Sequence, residues 1–146
     1  MADVVASSPV FASTDGLREI WDVTSEVAAG TALINEGRAG VAYTPSGGYT
    51  GSTTVGAATV SGIPQGGASL PALKASVATD GTWEFPVTGV TGTTKNGTKV
   101  YAVVASGKIT GLTLTEGSNT LFGVINNRLG YVSPVATYAG VKIGVL

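Results

Sequence analysis

The chain has 146 residues, with 8 Lys+Arg against 9 Asp+Glu, a net charge of −1, 22 Gly, and neither Cys nor His. The missing Cys excludes disulfides, thiolate nucleophiles and cysteine-ligated zinc or iron–sulfur sites, and the missing His excludes Ser-His-Asp and Cys-His catalysis. Charged residues are only 12% of the chain, about half the usual ~25%, which leaves no cationic footprint for nucleic acid.

Residues 1–16 read as an N-terminal arm. They follow no period of 2 or 3.6, yet they carry Val4, Val5, Val10 and Phe11, more apolar bulk than a solvated tail needs. These side chains are the expected contacts to a neighbouring chain, which strand addition would provide. Removing residues 2–14 is expected to abolish attachment to that neighbour while leaving the domain folded. With Asp3 and no early Lys or Arg, the arm is not expected to be a secretory leader.

A single β domain is expected over residues 17–146. Leu17, Ile20 and Trp21 have helical spacing, whereas Leu17, Trp21 and Val23 share a strand face; the β-favouring Val23-Thr24 tips the reading to strand. Val27 to Ile34 and Gly40 to Thr44 flank Asn35-Glu36-Gly37-Arg38 as a hairpin. Residues 45–72 read as a long irregular Gly/Thr-rich insertion. Within it Ser46-Gly47-Gly48-Tyr49 and Gly62-Ile63-Pro64-Gln65-Gly66 are turn chemistry, and Thr53 to Ser61 reads as one small-residue strand.

Leu73 to Ala78 leads through Thr79-Asp80-Gly81 into Thr82-Trp83-Glu84-Phe85-Pro86-Val87. Trp83, Phe85 and Val87 share one face of that run and are expected in the core. Strands follow over Thr98 to Ala105, Lys108 to Thr115 and Thr120 to Ile125, with Tyr131-Val132 and Val141 to Val145 closing the chain. Val100 to Ala105, among the longest apolar runs, stops at Ser106-Gly107-Lys108, far short of the ~20 residues of a membrane helix. Turns every 8–12 residues between short β-rich runs indicate an all-β barrel or sandwich of antiparallel strands.

No catalytic arrangement emerges. Gly107-Lys108 is followed by Ile109 and position 102 is Ala, so a phosphate-binding loop fails. Asp80 and Glu84, four apart, would stand about 13 Å apart on an extended strand, beyond the ~5–9.5 Å that glycosidase carboxylates use. They read as solvated strand-edge charges, and Asp22 and Glu26 have the same spacing. The Asp-x-Asp-x-Asp-Gly calcium pattern is absent. No enzyme, cofactor or metal is expected, and no nucleic acid or membrane as partner. Tyr49, in its Gly-rich loop, is the best exposed aromatic, suited to anchoring an interface.

Several motifs then stand in a familiar order. They are Val77-Ala78-Thr79-Asp80-Gly81-Thr82-Trp83-Glu84-Phe85-Pro86, Gly97-Thr98-Lys99-Val100-Tyr101, Gly107-Lys108-Ile109-Thr110 and Asn119-Thr120-Leu121-Phe122-Gly123-Val124. This series, with Val27 to Thr44 as an opening hairpin, resembles the capsid decoration (cement) proteins of tailed bacteriophages. The likeness runs over roughly residues 24–146. It departs from the family pattern in the longer 45–72 connection and in the Pro134/Tyr138 segment. The resemblance implies a structural virion protein, made in the bacterial cytoplasm, on the outer surface of the head. There it would act, often as a homotrimer, to clamp adjacent major capsid proteins after expansion. Near-neutral charge implies binding that responds weakly to salt. The rival is a glycan- or receptor-binding β-sandwich displaying Tyr49 and Tyr138.

Overall fold

β-branched and aromatic residues alternate with small polar ones along this chain, and Gly, Asn or Ser closes each run, a pattern that favours short strands and tight turns. A computed structural model describes residues 4–5, 8–11, 18–66, 70–127 and 136–144. Among these residues there are twelve strands and no helix: β1 (Ser8–Phe11), β2 (Arg18–Asp22), β3 (Ala32–Asn35), β4 (Arg38–Ala42), β5 (Thr50–Val55), β6 (Ala58–Pro64), β7 (Lys74–Ala78), β8 (Gly81–Pro86), β9 (Lys99–Ala105), β10 (Lys108–Thr113), β11 (Thr120–Ile125) and β12 (Tyr138–Ile143). The protein is all-β, in antiparallel sheets. The Tyr131-Val132 reading, Pro134 and Val145 lie outside the described residues.

The larger sheet has the order β1-β8-β12-β11-β9-β10. It curls until its far strands meet. Thr88, just past β8, forms a parallel bridge with Thr113 of β10; its N–H donates to the Leu112 carbonyl at 2.8 Å, and its carbonyl accepts from Leu114 at 3.2 Å. Inside this half-barrel lie Phe85, Val87, Val100, Leu112, Phe122, Ile125, Val141 and Ile143. Phe85 and Phe122 meet edge to face, with centroids 5.8 Å apart, the arrangement their ring quadrupoles favour.

Simple alternation would put Ile109 and Leu112 on opposite faces of β10, yet both are buried. The register slips between Ile109 and Gly111 against β9, so a β-bulge turns both inward. Another slip, between Leu121 and Gly123, accompanies the burial of Phe122.

The smaller sheet, β2-β7-β4-β3, packs through β3 and β4 against β10 and β11. Ala32, Ala39, Val41 and Ala78 on one face join the barrel core. On the other, Trp21, Ala42, Ala75 and Val77 gather with Val27. A Cβ on Gly40 would collide with Val77 Cγ1 and stand 2.8 Å from Trp21 Cη2, so the bare backbone there makes room for both Val77 and the indole. Arg38 covers the ring at 5.3 Å and donates to both Glu19 oxygens, at 3.0 and 3.1 Å. These hydrogen bonds hold the Glu19 carboxyl below its ordinary pKa.

Four readings of the sequence need correction. Residues 45–72 are not an irregular excursion, because β5 and β6 pair as a hairpin within them. Two strands replace the single Thr53–Ser61 run, since Gly56, at φ +61°, turns the chain between Val55 and Ala58. Glu84 is no solvated edge charge: it is 3% exposed, on a strand flanked by β1 and β12. The arm is also not dispensable. Val4 is 7% exposed within the barrel core, its carbonyl accepts from Ala32 N–H at 2.7 Å, and β1 extends the sheet along β8. Removing residues 2–14 therefore takes away a core side chain and an edge strand.

Candidate docking site: the β5–β6 hairpin and its base

A two-stranded hairpin is marginal in water unless something packs on it. Among the described residues no other strand pairs with β5 or β6. The register Thr53↔Val60, Thr54↔Thr59 and Val55↔Ala58 sorts the side chains into two faces. One face carries Thr53, Val55, Ala58 and Val60; the other has Thr54 and Thr59, their hydroxyls 3.1 Å apart. Val55 is 76% exposed and Val60 55%. No charged residue occurs anywhere between Arg38 and Lys74.

Exposed strand edges are usually blunted by lysines, prolines or bulges. Here the bulge between Gly51 and Thr53 and the Pro64 pair protect only the root. Burying each valine is worth roughly 1.5–3 kcal/mol, so a partner covering this face gains apolar contact with no charge to desolvate.

Backbone hydrogen bonds, among them Ser46 N–H to the Val27 carbonyl at 2.9 Å, hold the root, and one carboxylate joins its two limbs. Ser46, fully buried, accepts from Val27 N–H at 2.8 Å and donates from Oγ to Glu26 Oε2 at 2.8 Å. Glu26 Oε1 accepts from the Leu73 amide, and Gly48 supplies a further backbone hydrogen bond. Both limbs of the insertion thus end on Glu26. The Gly47 amide also donates to the Lys74 carbonyl at 3.0 Å, and a Cβ on Gly48 would stand 2.9 Å from the Glu26 carboxylate. Desolvation pushes the Glu26 pKa up, but the hydrogen bonds from Ser46, Leu73 and Gly48 outweigh it and hold the carboxyl below its ordinary value. Leu73 has φ +60°, a left-handed conformation that costs a side-chain-bearing residue roughly 1–2 kcal/mol.

A second exposed patch lies on the smaller sheet. Ile20 pairs with Ser76, and the Tyr43 amide donates to the Ser76 carbonyl at 2.8 Å. Ile20 is 64% and Tyr43 43% exposed, and the Arg18 guanidinium sits 3.5 Å from the Tyr43 ring centroid, within cation–π range.

The residues expected at a neighbour contact are scattered. Val4 is consumed by its own core, and Val5, more exposed, bridges Thr31. Val10 and Phe11 lie on β1, their side chains outside the described residues. Tyr49 sits half-buried at the hairpin root, its carbonyl accepting from Gln65 N–H at 2.9 Å. Of the carboxylates four apart, Asp22 pairs with Lys74 while Glu26 serves the root. No group of three or more metal-ligating side chains occurs among the described residues.

Sequence reasoning missed Val55, Val60, Glu26 and Leu73. The uncharged span from Arg38 to Lys74 was a legible signal for the valines. Glu26 gave none, because Ser46 reaches it only after β3 and β4 fold back. No protein-family model, curated protein or solved structure matches the chain.

Proposed function

We propose that this chain is a capsid decoration protein, binding the outer surface of a phage head and cementing adjacent major capsid proteins. The observation that carries the reading is the exposed, uncharged β5–β6 hairpin on a fixed root. It offers valines and free backbone edges to a partner strand, a mode in which main-chain hydrogen bonds supply affinity and alternate side chains supply fit. The motif series that resembles decoration proteins adds support, since its segments form β7 to β11 and pack into one core. On a repeating shell, many weak contacts are multiplied by attachment at equivalent positions, whether the protein arrives singly or as a homotrimer.

The test uses heads of the source phage with and without this protein. Decorated heads are expected to survive a heat challenge that bursts bare ones, and a chain carrying Val55→Asp and Val60→Asp is expected to leave heads unoccupied while keeping its own melting temperature. Equal survival of bare and decorated heads would refute the cementing role. Full occupancy by the double variant would remove the hairpin from it. Tyr49, half-buried at the root, does not favour the glycan-binding alternative.

A further inference from the structure

We infer that Glu26 is the positioning residue of the hairpin, a latch that fixes the β5–β6 unit on the barrel and frees it when the carboxylate charge is lost. The inference about the latch concerns the free protein; its consequence for docking rests on the reading above.

The geometry supports it from both limbs. On the entering limb the carboxylate takes the Ser46 hydroxyl at 2.8 Å and packs so close to Gly48 that a Cβ there would stand 2.9 Å from it. On the leaving limb it takes the Leu73 amide, at a residue whose φ of +60° has no glycine to absorb it. A strained residue persists where its surroundings over-determine it, and here the Glu26 hydrogen bond is one such constraint. The Leu73 carbonyl also accepts from Val23 N–H at 3.0 Å, so losing Glu26 removes the tie on the Leu73 amide side and loosens the limb that runs from it towards β6. All of the donors on Glu26 are neutral, so the carboxylate's own charge sets their strength.

The ionisable side chains on the packed segments do not substitute for it. Tyr43 on the entering limb is covered by Arg18, Tyr49 sits at the root, and Lys74 on the leaving limb is committed to Asp22 of β2. The sign of the pH effect follows. Hydrogen bonding holds the folded pKa of Glu26 below the ordinary 4.5, so the latch is intact above that value and opens as pH falls through the folded pKa.

The chain has no Cys, so two introduced ones can carry the only spin labels: Ala57→Cys at the hairpin tip and Ser118→Cys in the β10–β11 turn. At pH 7 the distance distribution is expected to be narrow in this background and at least twofold broader when Glu26→Gln is added, with the barrel's melting temperature held as a control. Acidification through the folded pKa of Glu26, below its ordinary value, is expected to broaden the distribution where Glu26 is kept and to change the Glu26→Gln variant little. An equally narrow distribution for both at pH 7 overturns the latch, as does acid broadening that is the same with and without Glu26. If Glu26→Gln loosens the tip while occupancy on heads is unchanged, the latch stands and the docking role of the hairpin fails.

Discussion

The barrel and the β5–β6 hairpin are made from nearly the same vocabulary. Lys99–Ala105 in β9 and Ala58–Pro64 in β6 are both short, valine-bearing strands, but β9 is apolar at every position after Lys99 whereas β6 is apolar only at Ala58, Val60 and Ile63. β9 is flanked by β10 and β11, and Val100, Tyr101 and Ala102 are buried. Among the described residues β6 pairs only with β5, and Val60 is 55% exposed. The contrast shows that β-propensity selects a strand, while burial takes both an apolar run and a topology that supplies a second layer.

The contrast can be broken first from the barrel side. Phe122→Ala removes a fully buried ring from the Phe85 pair, which should cost about 3–5 kcal/mol and lower the melting temperature by on the order of 10 °C, read by calorimetry. A loss under about 1 kcal/mol would mean the two rings do not organise the core. A smaller effect is expected on the outer face of the smaller sheet. Gly40→Ala forces Val77 and Trp21 to shift, at about 1–3 kcal/mol as an overpacked site, with a change in tryptophan fluorescence. An unchanged spectrum would show that the indole is not held by the bare backbone. The smallest effect belongs to the hairpin, where Val55→Ser with Val60→Ser should alter chemical stability by no more than about 0.5 kcal/mol. Marked destabilisation by urea would mean the hairpin is packed after all, and the difference between the two regions would disappear.

Much of the barrel was legible in the sequence. Trp83, Phe85 and Val87 alternate and are buried together, and the turns at Glu36-Gly37 and Ser106-Gly107 each place two successive residues at positive φ, as tight hairpins of the primed type require. The strand over Arg18–Asp22 was readable from Val23-Thr24 against a competing helical spacing. The bulges in β10 and β11 were not, because a period of two cannot announce its own interruption. Glu84 was misread because an isolated carboxylate in an alternating run resembles a solvated face until both neighbouring strands are known.

By itself the sequence determined what is local: strands from β-branched alternation, turns from Gly, Asn and Asp, and the exclusion of thiol and imidazole chemistry from the absence of Cys and His. The tertiary structure decided what depends on contacts between distant segments. It placed Val4 in the barrel core, left Val55 and Val60 uncovered, and brought Glu26 to Ser46 and Leu73, residues far along the chain. Local propensity acts over a few bonds, whereas burial and latching arise only when the chain returns on itself, and no spacing in the sequence encodes that return.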